Sequence, residues 1–177
     1  MRTLAILTAF VVVAPTLRAD EPKASEKVKK LLGEKAVGLF AGATKVEVFR
    51  VEGGGKGEKD KTVGGFRITA TGKEQDAKFA AKVAAVVLNE KSYVWDAAKG
   101  CIFQPGVAFR VWKGDESVVV VICFSCDQVQ IITADKDGKL SKPVWGETDP
   151  SRAALVKLAK AALPDDKEIQ KLKEERD

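Results

Sequence analysis

The sequence contains no histidine, and its single methionine is Met1. Without an imidazole, the chain cannot form a Ser-His-Asp triad, a Cys-His nucleophilic pair or a histidine-ligated haem, zinc or copper site. Catalysis would have to rest on carboxylates, lysines or thiols, and no sequence pattern brings two carboxylates together. We therefore predict no catalytic residues, no metal and no cofactor, and the sequence leans towards a protein that is not an enzyme.

The chain also lacks any concentration of charge of one sign. It has 30 basic and 25 acidic residues, for a formal net charge of +5. The two signs are interspersed, as in Asp135-Lys136-Asp137, and no basic face carries regularly spaced aromatic residues. A nucleic-acid interface needs such a basic surface, so we predict no nucleic-acid partner.

Long apolar runs are missing after the first twenty residues. Leu4 to Leu17 is almost wholly apolar, Arg2 precedes it, and Ala19 stands directly before Asp20. This pattern is typical of a secretory signal peptide at residues 1–19, cleaved after Ala19. The run is shorter than the roughly 20 residues that a membrane-spanning helix needs. We expect a secreted or periplasmic protein with no stable membrane span after cleavage, and retention of the segment as an anchor is the alternative.

The remaining chain predicts one α+β domain at residues 44–173. A charged lead-in with a short helix precedes it at residues 20–43, and a charged tail follows at residues 174–177. Alternating apolar residues predict strands near residues 44–51, 63–69, 93–95, 107–111, 117–124, 129–132 and 140–145. The expected architecture is an antiparallel sheet of about five to six strands with two main helices packed on one face.

Local signals place the two main helices. Thr71 and Glu74 have the spacing of a capping box, and the apolar stripe that follows predicts the first helix. Asp149-Pro150 predicts the start of the second helix, and Pro164 predicts its end.

Three cysteines, Cys101, Cys123 and Cys126, are the one group of residues with possible chemistry. In an exported protein the default fate of a cysteine pair is a disulfide. A hairpin that turns at Gly114-Asp115 puts Cys101 near the end of the strand that carries the other two. Cys101 can therefore bridge to Cys126 or to Cys123, which leaves one thiol over.

Two other interpretations of the cysteines stay open. Cys123 and Cys126 have the Cys-x-x-Cys spacing of a thiol-redox site, although the residues after them are strand-like and supply no helix N-terminus. A metal site could use the three thiolates together with Asp127, but structural zinc sites normally draw four ligands from cysteine and histidine.

The stretch from Cys101 to Arg110, followed by Val120 to Cys126, resembles a group of small exported proteins of planctomycete-type bacteria. These proteins pair a Cys-x-x-x-Pro segment with a strand that ends in Cys-Phe-x-Cys, and the ending from Leu163 to Ile169 is also similar to theirs. Some members carry Arg-His after the proline, where this chain has Gly106-Val107. The resemblance implies export, and it implies no activity and no catalytic residues.

These observations favour an exported, non-enzymatic binding or structural domain whose ligand or protein partner is unknown. If the sheet face opposite the helices exposes Phe109, Trp112 or Trp145, that face is the expected binding surface, whereas burial would make these aromatic residues part of the core. The alternative function is a periplasmic thiol–disulfide protein that uses Cys123 and Cys126. The oligomeric state is left open.

Overall fold

The computed structural model describes residues 23–53, 61–97 and 99–176. The predicted signal peptide at residues 1–19 lies outside the described residues. Within them the chain forms five α-helices: α1 Glu26–Leu32, α2 Glu34–Phe40, α3 Ala77–Val87, α4 Arg152–Ala162 and α5 Lys167–Gln170. It also forms eight strands: β1 Lys45–Glu52, β2 Thr62–Val63, β3 Phe66–Thr71, β4 Gln75–Asp76, β5 Val107–Lys113, β6 Glu116–Cys123, β7 Gln128–Ala134 and β8 Val144–Glu147.

All the described strands belong to one antiparallel sheet. Its order is β2-β3-β1-β5-β6-β7-β8, and β4 pairs with β1 beside this path. The predicted α+β class is confirmed, but the predicted count of five to six strands is too low. The difference includes β2 and β4, which have two residues each and are too short to leave an alternating pattern.

The helices pack on one face of the sheet and form the main core with it. Phe109 of β5 is fully buried there, and its ring meets that of Phe79 from α3 edge to face, with centroids 5.6 Å apart. Val28 of α1 and Val156 of α4 are buried in the same cluster. Each such side chain contributes roughly 1.5–3 kcal/mol by leaving water, so the helices are held to the sheet by this layer.

The helix starts differ from the sequence prediction. Thr71, expected as the cap of a capping box, is the last residue of β3, and α3 begins only at Ala77. The cap is Asp76, whose carboxylate accepts a hydrogen bond from the Phe79 N–H at 3.0 Å. The intervening Gly72 packs so closely that a Cβ atom would lie 2.8 Å from Leu163 Cδ2, so this position before α3 has no room for a side chain.

The opposite face of the sheet is curled and holds a second, smaller core. Its members come from the sheet itself: Phe49, Val51, Val63, Ala108, Val119, Val121 and Ile132. The turn between β2 and β3 folds over this face, and a Cβ on Gly64 would lie 3.0 Å from Ile132 and 3.2 Å from Val119. Gly64 has a φ of 57°, so glycine suits this turn both sterically and conformationally. The middle of the curled face is therefore closed.

A segment that we call the strap, residues 99–106, crosses one end of the curled face. The Phe103 ring lies 5.9 Å from the Phe66 ring of β3 and 5.0 Å from the Trp145 ring of β8. These two strands are distant in the sheet order, and one aromatic side chain reaches both because the sheet curls. The strap thus holds the two sides of the curled sheet together.

Candidate functional site

The open end of the curled face carries a groove of about 650 Å³, a size common for small-ligand sites. The side chains that define its floor and walls are Val63, Trp112, Ser117, Val119 and Leu140. Trp112 and Ser117 are directly opposed in the β5–β6 hairpin, and Ser117 is opposed to Ala134 of β7. Because side chains alternate along a strand, these residues share the face opposite Phe109.

Glu47 fixes the aromatic and cationic side chains of the groove. The Trp112 indole Nε1 donates to Glu47 Oε2 at 2.9 Å, and Arg110 Nε lies 3.1 Å from the same oxygen. The Arg110 guanidinium stacks near the rings of Phe49 and Trp112, at 5.1 and 5.4 Å from their centroids. Arg110 and Trp112 are therefore pre-positioned, which lowers the entropy that a ligand would lose by ordering them.

Ser117 Oγ and Arg110 Nε, both in the lining of the groove, are buried polar atoms without a hydrogen-bond partner among the described residues. The residue that carries the hydroxyl, Ser117, is 1% exposed. A buried polar atom without a partner costs roughly 1–3 kcal/mol, so native proteins rarely keep one. A ligand atom that bonds to this hydroxyl, once the neighbouring side chains move apart to admit it, would remove that cost.

The rim of the groove carries charges of both signs in equal number. Asp115, Asp135 and Asp137 face Arg110, Lys136 and Lys139 around it. Hydrogen bonds from the backbone N–H groups of Lys139 and Asp137 hold the pKa of Asp135 below its usual value, so this carboxylate is ionised at neutral pH. The balanced rim gives no preference for a strongly charged ligand.

The other end of the same face carries the cysteines. Cys101 of the strap forms a disulfide with Cys126, with the Cα atoms 6.0 Å apart, and Cys123 is a buried free thiol. This is one of the two pairings that the sequence left open. The sulfur of Cys126 is therefore not available for the predicted Cys123/Cys126 redox pair while this disulfide is closed.

The structure also removes the metal alternative at the cysteines. Two of the three sulfurs are joined to each other, and Asp127 forms ion pairs with Arg152 and with Arg176. Across residues 23–53, 61–97 and 99–176, no three cysteine or carboxylate side chains are grouped closely enough to hold a metal ion.

A polar cluster that the sequence did not reveal surrounds the turn between β6 and β7. Asp127 occupies the left-handed region with a φ of 54°, and its carboxylate is 3% exposed. Lys99 donates to the Cys126 carbonyl at 2.8 Å, and Arg152 donates to the Phe124 carbonyl at 2.7 Å. The cations come from positions far apart in the chain, so no linear spacing could have predicted them.

The three aromatic candidates do not form one surface. Phe109 is 0% exposed in the main core, so its prediction as a possible surface residue is wrong. It alternates with Trp112 along β5 and points to the helices, whereas Trp112 lies half-buried in the groove. Trp145 is 48% exposed and lies beside Phe103 of the strap, at the cysteine end.

Comparison with known proteins found no matching family model, no matching curated protein and no matching solved structure. Of the helices in the described part of the chain, none combines the length and the apolar composition required to cross a lipid bilayer.

Proposed function

We propose that this chain is an exported, non-enzymatic binding domain that takes a small, uncharged, partly aromatic ligand in the groove of its curled sheet. The export step rests on the signal-peptide pattern of residues 1–19 and on the resemblance to small exported planctomycete-type proteins. A disulfide is compatible with that location. The observation that carries the binding role is the buried Ser117 hydroxyl, which lacks a partner at the floor of a groove.

The chemistry of the groove selects the ligand class. Leu140, which is 44% exposed, offers apolar contact, the half-buried Trp112 indole offers a flat aromatic surface, and Ser117 lies at the floor with one hydroxyl. The charges at the rim cancel, so a strongly charged molecule has no advantage there. A ligand with an apolar ring and one hydrogen-bonding group satisfies all of these contacts.

A direct test uses 2-naphthol, a neutral aromatic alcohol, as the probe. The chain has three tryptophans, so its indole N–H groups give three resolvable NMR signals. Titration should shift the indole signal of Trp112 and leave that of Trp145 in place. The signals can be assigned with Trp112→Phe and Trp145→Phe, and Trp145→Phe is the matched control because it retains binding.

Ser117→Ala separates a ligand-binding serine from a structural one. We expect affinity for 2-naphthol to fall several-fold, while the free energy of unfolding without probe stays the same or rises by about 1 kcal/mol. Equal affinity of Ser117→Ala and the wild type would show that the Ser117 hydroxyl does not bind the probe, and a shift confined to Trp145 would show that the groove is not the binding site.

The alternative function, a thiol–disulfide protein that uses Cys123 and Cys126, is favoured by one contact. Ser125 Oγ lies 3.2 Å from Cys123 Sγ and 4.0 Å from Cys126 Sγ, so a single hydroxyl spans the two sulfurs. Since Cys126 is bonded to Cys101, this function requires a thiol–disulfide exchange within the chain.

A further inference from the structure

The three cysteines differ in their solvent exposure. Cys101 is exposed, and the adjoining Ile102 is 82% exposed. Cys123 and Cys126 are both fully buried. A thiol from solution can therefore reach the disulfide only at Cys101, whereas Cys126 is open to attack only from inside the protein.

Cys123 is a buried free thiol, and Ser125 Oγ contacts both its sulfur and that of Cys126. Cys123 stands at the end of β6, and the alternation of this strand puts it on the curled face beneath the strap. The backbone N–H of Gln104 donates to Cys123 Sγ at 3.3 Å, a contact that can stabilise negative charge on the sulfur during exchange. Ser125, whose hydroxyl contacts Cys123 Sγ at 3.2 Å, is exposed and links the buried thiol to water for proton exchange.

We infer that Cys123 exchanges into the Cys101–Cys126 bond and releases Cys101 as a reactive surface thiol. The Cys123 thiolate attacks Cys126 Sγ, so that the Cys123–Cys126 bond forms and the Cys101–Cys126 bond breaks. The electron pair leaves with Cys101 Sγ, and this sulfur takes up the proton that Cys123 lost to water. No external oxidant or reductant is consumed in this step.

The released Cys101 is then a site for mixed-disulfide formation. Its thiolate attacks one sulfur of a low-molecular-weight disulfide, a bond forms between Cys101 and that sulfur, and the second sulfur leaves as a thiolate that takes up a proton. The substrate class is therefore a small disulfide such as an oxidised thiol tripeptide. This inference deepens the alternative function, and it is independent of ligand binding in the groove.

The test incubates the full chain with glutathione disulfide and reads the products by intact mass and peptide mapping. The wild type should gain one glutathione adduct at Cys101, together with a cross-linked peptide that contains Cys123 and Cys126. Cys123→Ser should gain no adduct, because nothing then opens the Cys101–Cys126 bond from inside. Cys123→Ala replaces the thiol with an apolar side chain if the serine variant does not fold, and circular dichroism checks the fold of both.

The variant Cys101→Ser tests whether the Cys123–Cys126 disulfide can form. After the same incubation, this variant should have a mass that shows a closed Cys123–Cys126 disulfide, with no adduct and no thiol that a reagent can titrate in denaturant. Two titratable thiols or two adducts would overturn the inference. An adduct at Cys101 that persists in Cys123→Ala would overturn it as well. The indole shift of Trp112 by 2-naphthol does not depend on any cysteine, so the two proposals fail separately.

Discussion

Tyr93 is the one tyrosine of the chain, and it is buried. Its hydroxyl donates to the Val87 carbonyl at 2.6 Å. Burial raises the pKa of this phenol far above its usual value, because the charged form would lose its solvation. A raised pKa in the folded state means that folding favours the protonated group. The stabilisation is fully present below the unfolded-state pKa of about 10 and is lost as the pH rises above it.

We therefore expect the free energy of unfolding to fall more steeply between about pH 9 and pH 11 in the wild type than in Tyr93→Phe. At neutral pH the same substitution should cost about 1 kcal/mol through the lost hydrogen bond. Urea unfolding of the wild type and Tyr93→Phe at neutral pH and at about pH 9 and 11 measures both effects. The phenolate absorbance of the wild type reports the ionisation of Tyr93 alone. Ionisation of Tyr93 while the protein is still folded would contradict the prediction.

Asp127 combines a left-handed backbone with a buried carboxylate that is paired with two arginines. Asp127→Asn keeps a residue that tolerates positive φ and removes the charge, so Arg152 loses its anionic partner. We expect a loss of about 3 kcal/mol in the free energy of unfolding. Asp127→Ala should lose about 1 kcal/mol more, because alanine resists the left-handed conformation.

Chemical denaturation at neutral pH measures both Asp127 variants. Asp137→Asn is the matched control, since Asp137 is exposed, and it should change stability by less than about 0.5 kcal/mol. Equal effects of Asp127→Asn and Asp137→Asn would show that the arginine contacts do not contribute to the fold.

At the scale of single residues, the sequence showed which cysteines exist but left their pairing open. It also could not assign Phe109 and Trp112 to opposite faces, because each is an aromatic residue in a strand and the faces are defined only by what packs on them. The partners of Asp127 were invisible for another reason. Arg152 and Arg176 reach this carboxylate only after the chain has folded.

Substitution of alanine for glycine should have opposite effects on stability at two positions, one in a helix and one in a strand. Gly38 lies in α2, it is exposed, and a Cβ there would have nothing within 4 Å, so Gly38→Ala should stabilise the protein by about 1 kcal/mol. Gly146 lies in β8, where a Cβ would come within 2.6 Å of the Tyr93 ring, so Gly146→Ala should destabilise it by roughly 1–3 kcal/mol. Thermal unfolding of the two variants beside the wild type tests both signs, and a matching shift in the same direction would refute the packing argument.

The elements with strong local signals were predictable, and the others were not. The Gly114-Asp115 turn gave the register of the β5–β6 hairpin, in which Lys113 pairs with Glu116 as expected. The lead-in was predicted to contain one short helix, and the second helix α2 was missed because it has only seven residues and one of them is glycine, a weak helix former. Strands β2 and β4 are formed by pairing with their neighbours and have no signature of their own.

For the molecule as a whole, the disulfide constrains the unfolded chain. It closes a loop with a sequence separation of 25, for which chain entropy predicts a stabilisation of about 3.5 kcal/mol. Urea unfolding with and without dithiothreitol should show a loss of this order. Cys101→Ser should show the same loss when Cys123 and Cys126 are kept reduced, because no disulfide then constrains the unfolded chain. Cys123→Ala retains the native disulfide and is the control.

The α+β class and the helix-covered face followed from the order of apolar patterns along the chain. The curl of the sheet could not be predicted from these patterns, because curvature depends on how distant segments fill the second face. Phe103 reaches β3 and β8 together, and Gly64 lies over β6 and β7. The groove is formed only by that curl. The sequence therefore could not show that the residues of the groove lie together.

The arrangement of the strands also bears on aggregation. The run Val118 to Ile122 has the composition of a self-associating segment, and it lies within β6, which is paired with β5 on one side and β7 on the other. The outermost strands β2 and β8 have two and four residues, and Val94 bridges to Glu147 of β8. Short outer strands offer little backbone to a second chain. The run Val118 to Ile122 should therefore become available for self-association only after the sheet opens, and conditions that preserve the fold should keep it covered.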